Sequence, residues 1–498
     1  MLKGRRCGVL LHPTSLPGAG GIGTLGDDAR LFIDLLAGMG MSWWQVLPLN
    51  PTASGNSPYS AFSAFAGNPL LIDLDALALE GDVSLSGLEM ATDAGRVDFG
   101  TLLPAKMEVL HGAAATFFAA GRTARMEEFW HFCNTTPWLH DYALFMALKH
   151  RYKGKSWHQW PAAAALMDAE TFEKASVELG PEIGAQKYMQ WQFFRQWHHL
   201  RAYAAAQGVA IVGDIPIFVA YDSADVWRNR ELFLLDDHGK PTAVAGVPPD
   251  YFSTTGQLWG NPLYDWDRLE KQGYGWWIER FRCMFTHFDC IRVDHFRGFE
   301  AAWHVPYGHK TAVKGAWVEG PGRRLFDALF SALGPLPIIA EDLGVITPQV
   351  EALRDYFGFP GMKILQFAFG SGPANAYLPH NHIRNCVVYT GTHDNDTSAG
   401  WYQGLHEKER REVQDYLGAA GGDPVGELVR AALVSVADTA IIPFQDILGL
   451  PSASRMNVPG TPGGNWEWRF SWDMVDKGLA ARFRHMLEIY GRCQYQSV

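Results

Sequence analysis

Three short segments in the second half of the chain each end an apolar run in a carboxylate: Ile291-Arg-Val-Asp-His-Phe-Arg-Gly298, Ile338-Ile-Ala-Glu-Asp-Leu-Gly344 and Val387-Val-Tyr-Thr-Gly-Thr-His-Asp-Asn-Asp396. In a parallel β/α barrel such runs are buried strands, and the residues beyond their C-terminal ends line the mouth where barrel enzymes do chemistry. Asp294, Glu341 and Asp394 are therefore expected to converge on one pocket. Two carboxylates flanking a bond, with a third that grips the sugar, are what cleavage of a glycosidic linkage requires.

Arg292 and Asp294 lie two apart on a strand and share a face. A guanidinium beside a carboxylate favours the ionised form that a nucleophile needs. An isolated Arg-x-Asp would more often be a structural ion pair, but here two further strands end the same way. Glu341 emerges from Pro337-Ile-Ile-Ala340, and partial desolvation raises a carboxylic acid toward the range of a proton donor. Of the pair Glu341 and Asp342, Asp342 is expected to cap the helix that starts near Thr347-Pro348. His393 and Asp394 could hold a sugar through its hydroxyls. Read as a calcium loop instead, the segment from Asp394 has Ala399 where Gly is needed and Leu405 where a bidentate Glu is needed.

These residues require elements to carry them. Apolar runs occur at Gly8–Leu11, Trp44–Leu49, Val209–Phe218, Phe288–Val293, Ile338–Ala340, Met362–Phe367, Val387–Tyr389 and Thr439–Phe444, with helical periodicity between most of them, as in 27–39, 322–333 and 407–416. Eight short apolar strands alternating with helices predict an α/β protein, a (β/α)8 barrel closed on itself. Residues 1–60 should supply strands 1 and 2, and 61–207, mostly helical and too long for a connection, an inserted subdomain. Residues 208–498 should complete the barrel, with a loop-rich insertion at about 220–285 covering the active site. Within it, the Pro and Gly of Pro248–Pro262 argue for a loop whose Tyr251, Phe252 and Trp259 could shield bound sugars from water.

The 498 residues, 47% apolar and 19% charged, describe a folded chain, and 42 basic against 53 acidic residues give a net charge of −11 that disfavours nucleic acid. The basic start loses its apolar run at His12-Pro13, unlike a signal peptide, and no apolar stretch is long enough for a membrane span. The six cysteines lack paired spacing, which argues against disulfides or a zinc ribbon and for a cytoplasmic location. Gly18-Ala-Gly-Gly-Ile-Gly23 matches a dinucleotide fingerprint, but no Asp or Glu lies between Asp34 and Asp73 to hold a ribose. His198-His199 lacks metal-ligand spacing. Among 19 Trp, 17 Tyr and 29 Phe, rings in turn-rich stretches such as Asn56–Ser60 and Gly464–Trp468 suit sugar faces.

Together with His12-Pro-Thr-Ser-Leu-Pro17, Trp44-Gln-Val-Leu-Pro48, Ser57-Pro-Tyr-Ser60, Gly213-Asp-Ile-Pro216, Trp259-Gly-Asn-Pro-Leu-Tyr264 and Gly464-Asn-Trp466, the three carboxylate segments make the chain resemble the amylomaltases. These are the disproportionating 4-α-glucanotransferases of glycoside hydrolase family 77, within the α-amylase clan. The resemblance spans nearly the whole chain. It implies Asp294 as nucleophile, Glu341 as general acid/base and Asp394 as transition-state stabiliser. It also implies Tyr59, Asp214, Trp259, Arg292, His393 and Asn465 as sugar-binding residues. Val219 stands where many α-amylases place a His, and no C-terminal β-sandwich is expected after Phe444. The implied reaction is retaining transfer of an α-1,4-glucan segment to the 4-hydroxyl of glucose or another glucan, without cofactor or metal. An α-glucan hydrolase with the same residues, or a non-catalytic maltodextrin-binding protein, is the alternative.

Overall fold

The computed structural model describes residues 4–86, 95–249, 253–418 and 422–493; Tyr251 and Phe252 lie outside these. Eight parallel strands form the central sheet: β1 (Arg6–Leu10), β2 (Trp43–Gln45), β3 (Ala210–Pro216), β6 (Cys290–Asp294), β9 (Ile338–Ala340), β10 (Gly361–Ile364), β11 (Cys386–Tyr389) and β12 (Thr439–Pro443). Their order, β10-β11-β12-β1-β2-β3-β6-β9, leaves β9 beside β10, where the Ala340 N–H donates to the Pro360 carbonyl at 2.9 Å. The sheet is thus a nearly closed barrel. All eight apolar runs became strands because both faces of each are covered, so a short β-rich run suffices to specify it.

Helices follow the strands on the outside. Asp27–Gly38 buries Phe32, Ile33 and Leu36, and Arg323–Leu333 buries Leu325, Phe326 and Leu329, the spacing of one apolar face. Between β2 and β3 the chain is mostly helical, with Phe99–Ala119, Ala124–Thr135, Leu139–Arg151 and the 27-residue helix Gly180–Ala206 as its longest pieces. Buried rings of this region, among them Tyr142, Phe145 and Trp191, belong to the same apolar cluster as the barrel strands. After Pro443 no strand follows among the described residues, and the helix Leu479–Ile489 returns to the first helix, where Arg484 donates to the carbonyls of Ala37 and Gly38.

A second sheet departs from the sequence expectation. Strands β4 (Ala243–Val247) and β5 (Gln257–Pro262), from the connection after β3, pair antiparallel with each other, and β4 pairs with β7 (Ala301–Pro306), which pairs with β8 (Ala316–Glu319). Gln257–Pro262 is therefore a strand, not part of a loop. Its Gly260 and Asn261 fit because β5 is an edge strand, and a register shift in its pairing with β4 between Val244 and Gly246 absorbs the irregularity.

Candidate active site

Strand register assembles the site. In the β3–β6 pair Asp214 lies opposite Arg292 and Pro216 opposite Asp294; in the β6–β9 pair Val293 lies opposite Ala340. Glu341, one residue beyond Ala340, consequently emerges beside Asp294. Its N–H donates to the Val293 carbonyl at 3.0 Å, and its carbonyl accepts from the Phe296 N–H at 3.1 Å. Because parallel neighbours in register point the same way, Asp214 and Arg292 share the barrel interior.

Arg292 is the hub. Its Nη1 donates to both oxygens of Asp214, at 2.9 and 2.7 Å, and its Nη2 pairs with Asp294 Oδ1 at 2.9 Å. Burial works against the guanidinium's charge, but the two carboxylates hold it well above its ordinary value. The Tyr59 hydroxyl donates to Asp214 Oδ2 at 2.8 Å. With both oxygens engaged and its side chain fully covered, Asp214 presents nothing to the cleft, whereas Asp294 is 31% exposed. In this arrangement Asp214 is bonded to both Arg292 and Tyr59 and links the two.

Glu341 is buried and accepts two backbone hydrogen bonds, from the His295 N–H at 2.7 Å and the Leu343 N–H at 2.9 Å. His295, directly after Asp294, adopts a left-handed conformation (φ 52°), a sharp turn in which its N–H meets the Glu341 carboxylate. Burial pushes the Glu341 carboxyl up to about 7, with Asp294 adding to the rise while Arg292 and the two N–H donors oppose it. Asp342 is not the helix cap expected of it. Thr347 caps Pro348–Tyr356, and Asp342 instead accepts from the Met362 N–H at 2.7 Å and pairs with Arg354, tying β9 to β10.

The opposite wall comes from β11. His393 is buried, and burial lowers its basicity. Its ring stacks on Tyr59 with centroids 5.1 Å apart and planes 14° apart, and its Nε2 lies 3.4 Å from Asp394 Oδ1. Asp394 is half-exposed, and its Oδ1 accepts from Asn457 Nδ2 at 2.6 Å. Trp466 tilts against both Tyr59 and His393, at 6.0 and 5.9 Å. Trp259 on β5 sets its ring edge-on to His295, centroids 4.8 Å apart, so the second sheet touches the residue that follows Asp294. Asn465 is bonded within its own loop. Its Oδ1 accepts from the Val458 N–H and its Nδ2 donates to Thr461, so its amide closes its own loop while the next residue, Trp466, reaches the site.

Sequence reasoning passed over His295, Asn457, Arg455 and Trp466. His295 and Trp466 lie inside motifs already singled out, but Arg455 and Asn457 stand in an irregular stretch with no periodicity to mark them. Among the described residues, no group of three or more His, Cys, Asp or Glu is arranged to hold a metal ion, and no helix is long and apolar enough to cross a membrane.

The family model described as 4-alpha-glucanotransferase, glycoside hydrolase 77, matches residues 11–475. A 4-alpha-glucanotransferase of Synechocystis sp. is 50% identical, with both chains covered in full, and one of Thermus thermophilus is 49% identical over 97% of this chain and 98% of its own. The structure of an amylomaltase from Streptococcus agalactiae in complex with acarbose superposes with a TM-score of 0.96 at 38% identity, covering 98% of this chain and 100% of that one. On matched length, identity and barrel alike, the chain belongs to the 4-alpha-glucanotransferase family of glycoside hydrolase 77.

Proposed function

We propose that the protein is a retaining 4-α-glucanotransferase in which Asp294 attacks the anomeric carbon, Glu341 protonates the leaving oxygen, and Asp394 and His393 hold the reacting sugar. The observation that carries this reading is the asymmetry between two neighbouring carboxyls. Asp294 is paired with Arg292 and partly exposed, while Glu341 is buried and raised to about 7, so one is placed to attack and the other to serve as an acid.

Attack by Asp294 on the donor glucan forms a β-linked glycosyl ester as the C1–O4 bond breaks and the leaving sugar takes the Glu341 proton. The 4-hydroxyl of an acceptor glucan then displaces Asp294, giving its proton back to Glu341. Two inversions restore the α linkage, and Arg292 offsets charge on Asp294 before attack and after release. Asp214 acts by holding Arg292 and Tyr59. Glucose or an α-1,4-glucan serves as acceptor; the acarbose held by the similar amylomaltase supports a saccharide in this cleft.

Asp294→Asn and Glu341→Gln test the two roles with little change of shape. Each should lower turnover by about two or more orders of magnitude. A donor with a good leaving group should partly restore the first step in Glu341→Gln and not in Asp294→Asn; rescue of the latter, or near-normal rates in either, contradicts the assignment.

A further inference from the structure

The loop after β11 that carries His393 and Asp394 is gripped by a segment more than sixty residues away in sequence, Arg455–Asn457, which follows the last barrel strand. Three hydrogen bonds make the grip and a fourth, within the segment, stiffens it. The Asn457 N–H donates to the His393 carbonyl at 3.1 Å, and Asn457 Nδ2 donates to Asp394 Oδ1 at 2.6 Å. Arg455 Nη2 donates to the Asp394 carbonyl at 2.6 Å, and its Nε to the Asn457 carbonyl at 2.7 Å. Behind the grip, the Trp466 N–H donates to the Met456 carbonyl and the Val458 N–H to Asn465 Oδ1, each at 2.8 Å. The segment is thereby fixed to the wall that Trp466 shares with Tyr59 and His393.

Exposure and charge say what the contact to Asp394 is for. A carboxylate whose side chain is 48% exposed can be hydrated and does not need a protein donor to offset burial. What the Asn457 bond adds is direction, because it engages Oδ1, the oxygen that also lies 3.4 Å from His393 Nε2, and leaves Oδ2 free of it. The donor is also neutral. A Lys or Arg at position 457 would cancel the negative charge that an oxocarbenium-like sugar requires, whereas an amide N–H orients the carboxylate and leaves that charge in place. The guanidinium of Arg455 is spent on main-chain carbonyls.

We propose that Asn457, backed by Arg455, is a positioning residue that sets the orientation of the Asp394 carboxylate toward the reacting sugar. This rests on the reading of Asp394 given above and extends it to a residue on a different loop.

The test is steady-state disproportionation of maltotriose across pH by the intact enzyme and three variants, each checked for folding by its thermal transition. In Asn457→Ala the carboxylate loses its short amide hydrogen bond and keeps only the 3.4 Å contact to His393, so kcat should fall by about 10- to 100-fold with KM within about threefold, the pattern of a misplaced group felt at the transition state. Its acidic limb should stay where the parent's lies. Asn457→Asp has the same shape but sets a second carboxylate at hydrogen-bond distance from the first. The pair must then share a proton, and the acidic limb of kcat should move up by about one pH unit or more. A residue that merely holds the loop would raise KM along with lowering kcat in Asn457→Ala, because His393 and Asp394 would shift together; the limb in Asn457→Asp reports that position 457 faces the Asp394 carboxylate. A parental kcat in Asn457→Ala, or an unmoved limb in Asn457→Asp, overturns the proposal, and because Asn457→Asp is isosteric it carries the test if the alanine variant does not fold. Asp394→Asn separates the two levels of argument. Near-parental turnover there removes the reading of Asp394 itself, whereas an inactive Asp394→Asn beside a normal Asn457→Ala removes only the positioning role.

Discussion

Glu341 shows how a single residue couples function to stability. Its carboxyl ionises near 7 in the folded protein against an ordinary value of about 4.3 in an unfolded chain. The unfolded state therefore loses this proton first, and the folded state loses stability as pH rises from about 4.3 to about 7, beyond which the deficit is constant. Glu341→Gln, which cannot ionise, should be more stable than the parent by about 1–3 kcal/mol at pH about 8, and the difference should vanish near pH about 4. Thermal unfolding at the two pH values measures it, and equal gains at both would refute burial as the cause. For the same reason turnover should decline as pH rises through about 7, where the proposed proton donor is lost. The three carboxylates were legible because each terminates an apolar run. Asp214 was legible as a participant but not as a buried link between Arg292 and Tyr59, since the register that sets it opposite Arg292 is a property of the sheet and not of either segment. Nothing local announces that Asn457 reaches Asp394.

At the scale of elements, the barrel strands were readable because short, wholly buried apolar runs have few other uses. The second sheet was not. In β5 four of six residues are exposed, and in β8 all four are, so neither offers the alternation or apolar run that marks a strand. Gly and Pro near β5 pointed to a loop, and the pairing of β4 with β7 joins two different barrel connections, which sequence order does not reveal. This sheet brings Trp259 against His295, next to the proposed nucleophile. If its role is to exclude water from the glycosyl-enzyme, Trp259→Ala should lower transfer more than hydrolysis and raise the share of turnovers captured by water severalfold, about threefold or more. Chromatography with a reducing-end assay on the same samples reads both, and an unchanged ratio would reduce the contact to packing.

Across the whole molecule, segments far apart in sequence are joined at Arg492. Arg492 is fully buried and donates to the carbonyls of Arg6, Leu433, Ser435 and Ala437, joining the entry to β1, the helix before β12 and the final helix. Arg492→Met would remove these donors, with Arg5 still reaching the Leu433 and Ser435 carbonyls, and should cost about 1–3 kcal/mol, seen as a lowered thermal midpoint with the kinetics of the folded fraction unchanged. A midpoint within about a degree of the parent would show that these carbonyls find other donors. The mouth of the barrel is assembled on the same long-range principle, since β3, β6, β9, β11 and the segment after β12 each contribute one part. The central claim is that this mouth passes a glucan from one chain to another. Maltotriose, followed for glucose, longer maltodextrins and total reducing ends, tests it most directly: the account predicts glucose and longer chains appearing together with almost no rise in reducing ends, and reducing ends rising in step with substrate loss would contradict it.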